Sequence, residues 1–135
     1  MEFQLNFPIR RHFRTSETGI VIPCTLWSGN LVTDSHAKVD SGSEYCLFQR
    51  EVAEELQIEV ENGFPVGLNT LTGSLTCYAH TVLLGTFGIQ FESVVLFHPG
   101  RNTSRNILGR IGWLNNLHLG LTMDDDMIYL GPAFP

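Results

Sequence analysis

The sequence has few cysteines and no long hydrophobic run. Cys24, Cys46 and Cys77 are widely spaced and form no CxxC pair, which disfavours a disulfide framework or a zinc site. We expect reduced, partly buried thiols, as in cytoplasmic proteins. No stretch of about 18 apolar residues is present, so no membrane-spanning helix is predicted. The N-terminal residues also lack the pattern of a signal peptide, so we expect a cytoplasmic location.

Positive charge is scarce as well. The 135 residues include 8 Lys and Arg against 14 Asp and Glu, which gives a formal net charge of −6. Such a chain is a poor electrostatic partner for nucleic acid or for an anionic membrane, and neither partner is expected. The basic stretch over residues 10–14 has two interpretations, an anion-binding patch or a solvated edge strand, and the overall acidity favours the second.

Metal and cofactor motifs are also missing. The five histidines show no metal-ligand spacing, and Asp124-Asp125-Asp126 lacks the alternating ligands and the downstream Glu of a calcium loop. No metal and no cofactor is therefore predicted.

What the sequence does contain is the pattern of a mainly-β domain. Hydrophobic residues make up 43% of the chain, which is typical of a globular protein. We expect one domain over residues 1–135, with a core at about 20–130 and an N-terminal strand or arm at 1–19. Period-two alternation and turn residues predict short strands in a closed barrel or sandwich. The predicted elements are strands at 2–7, 19–27, 36–39, 45–48 and 127–130, hairpins over 66–97, one amphipathic helix from Gln49 to about Ile58, and one short C-terminal helix over 111–117.

One tripeptide carries the chemical signal. Asp40-Ser41-Gly42 follows a short apolar strand and precedes an extended segment. Alone it is also compatible with an Asx turn, because Asp, Ser and Gly all favour turns. About seventy residues later stands Asn106-Ile107-Leu108-Gly109-Arg110-Ile111. The two motifs, in this order and at this spacing, resemble those of the retropepsin-like aspartic proteases, and the helix after the first motif is more similar to bacterial members than to viral ones.

This resemblance implies a catalytic Asp40. Two neighbouring carboxylates that share one proton can activate water and protonate the leaving group, an effect for which aspartic proteases are the standard example. The chain has one such motif, so the second carboxylate must come from Asp40 of another copy. The resemblance therefore implies a homodimeric aspartic endopeptidase that takes a peptide or protein substrate in an extended conformation.

The resemblance also assigns supporting residues around Asp40. Ser41 would hydrogen-bond across the dimer axis, and Gly42 would donate its N–H to the carboxylate. Ser43 would offer its hydroxyl to Asp40 and favour the charged form, from which we predict an acidic pH optimum. Glu44 and Arg110 would form a bidentate ion pair that supports the loop.

The same family covers its cleft with a hairpin flap. The candidate flap spans residues 68–76 with its tip at Thr72-Gly73, and it implies substrate contacts from Leu71, Thr72, Gly73 and Ser74. An ordinary hairpin is the alternative. Ile107 would line or support the cleft floor, and Arg105 could reach a specificity pocket for acidic or polar side chains.

Two other functions stay open from the sequence. The first is a catalytically silent retropepsin-like module that binds peptides or dimerises without turnover. The second is an unrelated small barrel that binds a ligand, in which case both motifs are coincidental.

Overall fold

A computed structural model describes residues 1–16, 19–103 and 105–134. Within these ranges the chain forms eleven β-strands and one α-helix, together with short 3-10 turns at Val60–Asn62 and Leu114–Asn116. The elements are β1 (Ile9–His12), β2 (Arg14–Ser16), β3 (Gly19–Ser28), β4 (Leu31–Val39), β5 (Leu47–Phe48), α1 (Arg50–Glu55), β6 (Phe64–Thr70), β7 (Gly73–Thr86), β8 (Ile89–Phe97), β9 (Asn106–Leu108), β10 (Leu117–Thr122) and β11 (Met127–Pro132).

Six strands close into a barrel. The large sheet has the order β2-β3-β4-β9-β5-β8-β7-β6. In addition to its neighbours in this order, β3 forms a second pairing, with β7. This second pairing sets Leu26 opposite Leu84 and joins the run from β3 to β7 into a ring. Closure removes the edges of these six strands, while β2 and β6 extend from the ring as edge strands. The expected mainly-β barrel of short strands is confirmed.

The barrel interior follows from the sequence pattern. On β3, Ile22, Cys24 and Leu26 are buried and alternate with more exposed neighbours, which is the strand period of two. The end of β8 is buried at every position from Val95 to Phe97, as the continuous apolar run predicts. The hairpin between β7 and β8 turns through Phe87 and Gly88, both with positive φ, and this conformation matches the twist of paired strands.

A second, three-stranded sheet joins the two ends of the chain. Its order is β1-β11-β10, with Ile9 opposite Leu130. The strand predicted at residues 2–7 is wrong, because residues 1–7 form no regular secondary structure and the strand begins at Ile9. Phe3 and Leu5 are exposed and have no neighbouring strand. Alternation alone does not form a strand when no hydrogen-bonding partner is present.

The two helix predictions are each corrected in length. α1 ends at Glu55, because Gln57 adopts a positive φ of 55° and Ile58 N–H donates to the Ala53 carbonyl, which is a Schellman-type ending. Its predicted apolar stripe is confirmed, since Val52 and Ala53 are buried. The predicted C-terminal helix over 111–117 is limited to one 3-10 turn, and the chain then enters β10.

Two further sequence-based expectations concern cysteines and membrane spans. Cys24, Cys46 and Cys77 are all buried and free. Throughout the part of the chain that the structure describes, no helix has the length and hydrophobicity to cross a bilayer.

Candidate active site

Asp40 lies where the chain leaves the barrel between two strands. β4 ends at Val39, next to Leu108 in the parallel pair β4–β9, and β9 in turn separates β4 from β5. The backbone N–H of Asp40 donates to the Leu108 carbonyl at 2.9 Å. The Asp40 loop therefore connects two strands that do not touch each other, and β9 runs between them.

The loop presents its carboxylate through a tight turn. Asp40 Oδ1 accepts a hydrogen bond from the Gly42 N–H at 2.9 Å, and the Asp40 carbonyl accepts one from Ser43 N–H at 3.1 Å. The predicted donation from Gly42 is therefore observed. A Cβ on Gly42 would stand 3.2 Å from Oδ1, so glycine allows this approach. Ser41 and Gly42 are exposed, and this end of the loop is open to a partner or a substrate.

The segment after β9 passes directly beneath this loop. Arg110 N–H donates to the Ser43 carbonyl at 2.9 Å, and Ile111 N–H donates to the Glu44 carbonyl at 2.8 Å. A Cβ on Gly109 would overlap the backbone carbonyl of Tyr45. The two motifs that are some seventy residues apart in sequence therefore meet backbone to backbone.

Two predicted side-chain contacts are different in the structure. The Ser43 hydroxyl donates to the Tyr45 carbonyl at 2.7 Å and not to Asp40, so it stabilises the bend of its own loop. Arg110 and Glu44 form no salt bridge; the Arg110 Nε–H donates to the Ser43 carbonyl at 3.4 Å. Both charged side chains are exposed, where an ion pair gains little over hydration. Arg110 still contacts the loop, because both its side-chain Nε–H and its backbone N–H donate to the Ser43 carbonyl.

Cys46 lies under the same crossing. Its Sγ accepts the Gly109 N–H at 3.4 Å. Burial raises the pKa of this thiol from 9.0 to about 11, so it remains protonated at neutral pH. A neutral, buried thiol is unreactive. Cys46 is therefore part of the packing below the loop.

A cavity of about 560 Å³ opens between the loop and the hairpin of β6 and β7. The candidate flap is a hairpin of β6 and β7, in which Thr70 pairs with Gly73 and the two-residue turn is Leu71-Thr72 instead of Thr72-Gly73; its role as a flap stays a prediction. Leu71, Thr72, Gly73 and Ser74 form the exposed tip and do not line the cavity. Ile107 does line it, as predicted. The lining residues are Ser43, Glu44, Tyr45, Leu47, Gly67, Leu68, Asn69, Thr70 and Ile107.

Arg105 is absent from this lining. It is exposed and directly precedes β9. Its side chain forms no hydrogen bond and no ion pair with another described residue. The charged residue at the cavity is Glu44 instead. This cavity therefore has no cationic group in its lining that could bind an acidic side chain.

Asn106 has a role that sequence reasoning missed. Its amide donates to the Ser35 hydroxyl at 2.8 Å and to the His36 carbonyl at 3.0 Å, and its Oδ1 accepts the Gln49 N–H at 2.8 Å. The residue is 4% exposed. These bonds tie β4 to the start of α1 on either side of the Asp40 loop. The sequence did carry a sign of this role, because Asn106 is a polar residue at the start of an otherwise apolar strand. Its hydrogen-bond partners could not be identified, because they are distant in sequence.

Metal ligands are not assembled around this site. In residues 1–16, 19–103 and 105–134, no group of three or more His, Cys, Asp or Glu side chains is close enough to hold a metal ion. The polar groups that the loop carries include the carboxylates of Asp40 and Glu44 and the hydroxyl of Ser41.

One of three comparisons with known proteins found a match, and it concerns the fold. No protein-family model and no curated protein matches the sequence. Among solved structures, a retropepsin-like aspartic protease from Rickettsia conorii matches with a TM-score of 0.65 and 16% sequence identity, over 89% of this chain and 97% of that one. The chain therefore has the retropepsin-like fold. At this identity the likeness is one of fold, and the chemistry must be argued from the Asp40 loop.

Proposed function

We propose that the protein is an aspartic endopeptidase whose active site forms from two Asp40 residues, one from each chain of a homodimer. The observation that carries this proposal is the Asp40 loop itself. Its carboxylate accepts the Gly42 N–H, and Ser43 and Glu44 of the same loop line the cavity. The loop is held in place by backbone hydrogen bonds from Arg110 and Ile111. A turn with only a structural role would not need to border a cleft.

The mechanism requires two carboxylates with one shared proton. The ionised carboxylate takes a proton from water as the water oxygen attacks the scissile carbonyl, and the protonated one supplies the proton that the leaving amine needs. Close like charges disfavour double ionisation, so the active form carries one proton per pair. We therefore expect activity at acidic pH and a fall in rate once both groups ionise.

The exposure of Ser41 and Gly42 supports dimerisation at this loop. A two-fold axis beside Asp40 would bring the two carboxylates together, and Ser41 would then face its own copy. The apolar lining residues of the cavity and the open edge of β6 would accept an extended peptide.

The test is a mixing experiment. Parent protein is assayed with a peptide library between pH 3 and 7, alone and after mixing with an equal amount of Asp40→Asn protein. With random exchange of chains, parent activity should fall to about half, because only a quarter of the dimers then carry two Asp40 residues. Asp124→Asn, a change in an exposed turn, is the control and should raise the total activity instead.

Unchanged activity on mixing would contradict the shared site, and activity in Asp40→Asn alone would contradict the role of Asp40. Inhibition of the parent by pepstatin, which mimics the transition state of aspartic proteases, supports the assignment. A folded, dimeric and inert parent protein would favour the alternative, a silent module that binds peptides.

A further inference from the structure

The cavity beside the Asp40 loop has a lining that is apolar in its walls and charged at one point. Leu47, Leu68 and Ile107 are half-buried and contribute aliphatic surface. Asn69 and Thr70 from β6 add uncharged polar groups. A volume of about 560 Å³ is within the range of ligand pockets and accommodates a long side chain.

Glu44 is the one residue with a formal charge in this lining. Its backbone carbonyl accepts the Ile111 N–H at 2.8 Å, so its main chain is held in place. Its side chain is exposed and forms no ion pair with any residue in the described part of the chain. Arg110, the expected partner of Glu44, donates its Nε–H to the Ser43 carbonyl instead. The carboxylate is therefore available to a ligand.

We propose that this cavity binds a lysine or arginine side chain of the substrate, with Glu44 as the counter-charge; this proposal rests on the proposed function. Lys and Arg carry a cation on an aliphatic stem, which matches aliphatic walls with a carboxylate at the rim. An acidic side chain would meet a like charge there. The net charge of −6 also attracts cationic peptides. The preference is opposite to the one predicted from Arg105.

The position of Glu44 relates the preference to the scissile bond. It follows Asp40 by four residues on the same loop, and the cavity continues to β6 of the flap hairpin. An extended peptide that crosses the loop would place a side chain close to the cleaved bond in this cavity. Glu44 is thus a specificity residue, and no step of bond cleavage passes through it.

The experiment compares three peptides that differ at one position near the scissile bond, with Lys, norleucine or Glu. Cleavage is measured as kcat/KM for the parent, Glu44→Gln and Glu44→Lys. We expect the parent to prefer Lys over norleucine by about three- to tenfold, the scale of one solvent-exposed ion pair or of one ordinary hydrogen bond. Glu44→Gln should remove this preference, and Glu44→Lys should favour the Glu peptide. Glu92→Gln, an exposed glutamate on β8 outside the cavity, is the matched control for net charge.

Binding separates this proposal from the proposed function. The same peptides are titrated by fluorescence anisotropy against Asp40→Asn protein and against Asp40→Asn combined with Glu44→Lys. A Lys preference that reverses with Glu44→Lys supports the cavity assignment even when no protein cleaves peptide. If all three peptides are cleaved with equal kcat/KM, or bound with equal affinity, the cavity assignment is overturned and the proposed function is left intact. The absence of both binding and cleavage overturns both.

Discussion

Replacing Gly109 with alanine is the most direct test of how the active-site loop is built. A Cβ at this position would overlap the Tyr45 carbonyl and stand 2.8 Å from the Ser43 carbonyl, both of them backbone atoms. Backbone cannot rotate away as a side chain does, so the loop and the segment beneath it must separate. The effect is steric and does not come from the φ freedom of glycine, because Gly109 is not among the positive-φ residues.

The magnitude follows from the contacts that separate. Overpacking at a buried position costs about 1–3 kcal/mol. The hydrogen bonds from Arg110 N–H and Ile111 N–H to the loop would lengthen, and each contributes about 1 kcal/mol. We therefore expect Gly109→Ala to lower the free energy of unfolding by about 3–5 kcal/mol, a large share of the about 5–15 kcal/mol that is typical for a protein domain.

Urea denaturation measures this loss, and Gly67→Ala is the matched control. Gly67 is an exposed strand glycine with no neighbouring heavy atom within 4 Å of an added Cβ. Alanine there should leave stability unchanged or raise it by up to about 1 kcal/mol. If the free energy of unfolding of Gly109→Ala differs from that of the parent by less than about 1 kcal/mol, the typical cost of an arbitrary point mutation, the close contact between the two motifs does not hold the loop.

The remaining predictions concern the buried interior. Thr86 is 2% exposed and its Oγ1 accepts the indole N–H of the fully buried Trp113 at 3.1 Å. Thr86→Val should therefore lower the free energy of unfolding by about 1–3 kcal/mol. Thr81→Val, at an exposed position on the same strand, should change it little. If urea denaturation shows equal losses of stability for the two variants, this reasoning is contradicted. Burial raises the pKa of Cys24 to about 12 and that of Cys46 to about 11, from 9.0. Both thiols should resist alkylation in the native protein at pH 9, and labelling as fast as in urea would disprove their burial. Because the unfolded chain ionises first, both cysteines should make stability fall as pH rises above 9 towards 11 or 12, and Cys46→Ala should flatten that fall.

The sequence determined the features that depend on neighbouring residues. The apolar stripe of α1, the buried run at the end of β8 and the tight hairpins all follow from local periodicity and turn chemistry. The two motifs also identify Asp40 and the Gly109 segment. The donation from Gly42 to Asp40 spans only two residues, so it could be expected from the motif.

Tertiary structure decided what depends on residues distant in the chain. The first strand begins at Ile9 because β11 is its neighbour, although the alternation at residues 2–7 is the stronger pattern. The charge of the cavity comes from Glu44 and not from Arg105, because β9 runs between β4 and β5 and sets which side chains line the opening. Local sequence controls backbone preference within a few residues, but the environment of a side chain is set by strands that meet only when the barrel closes.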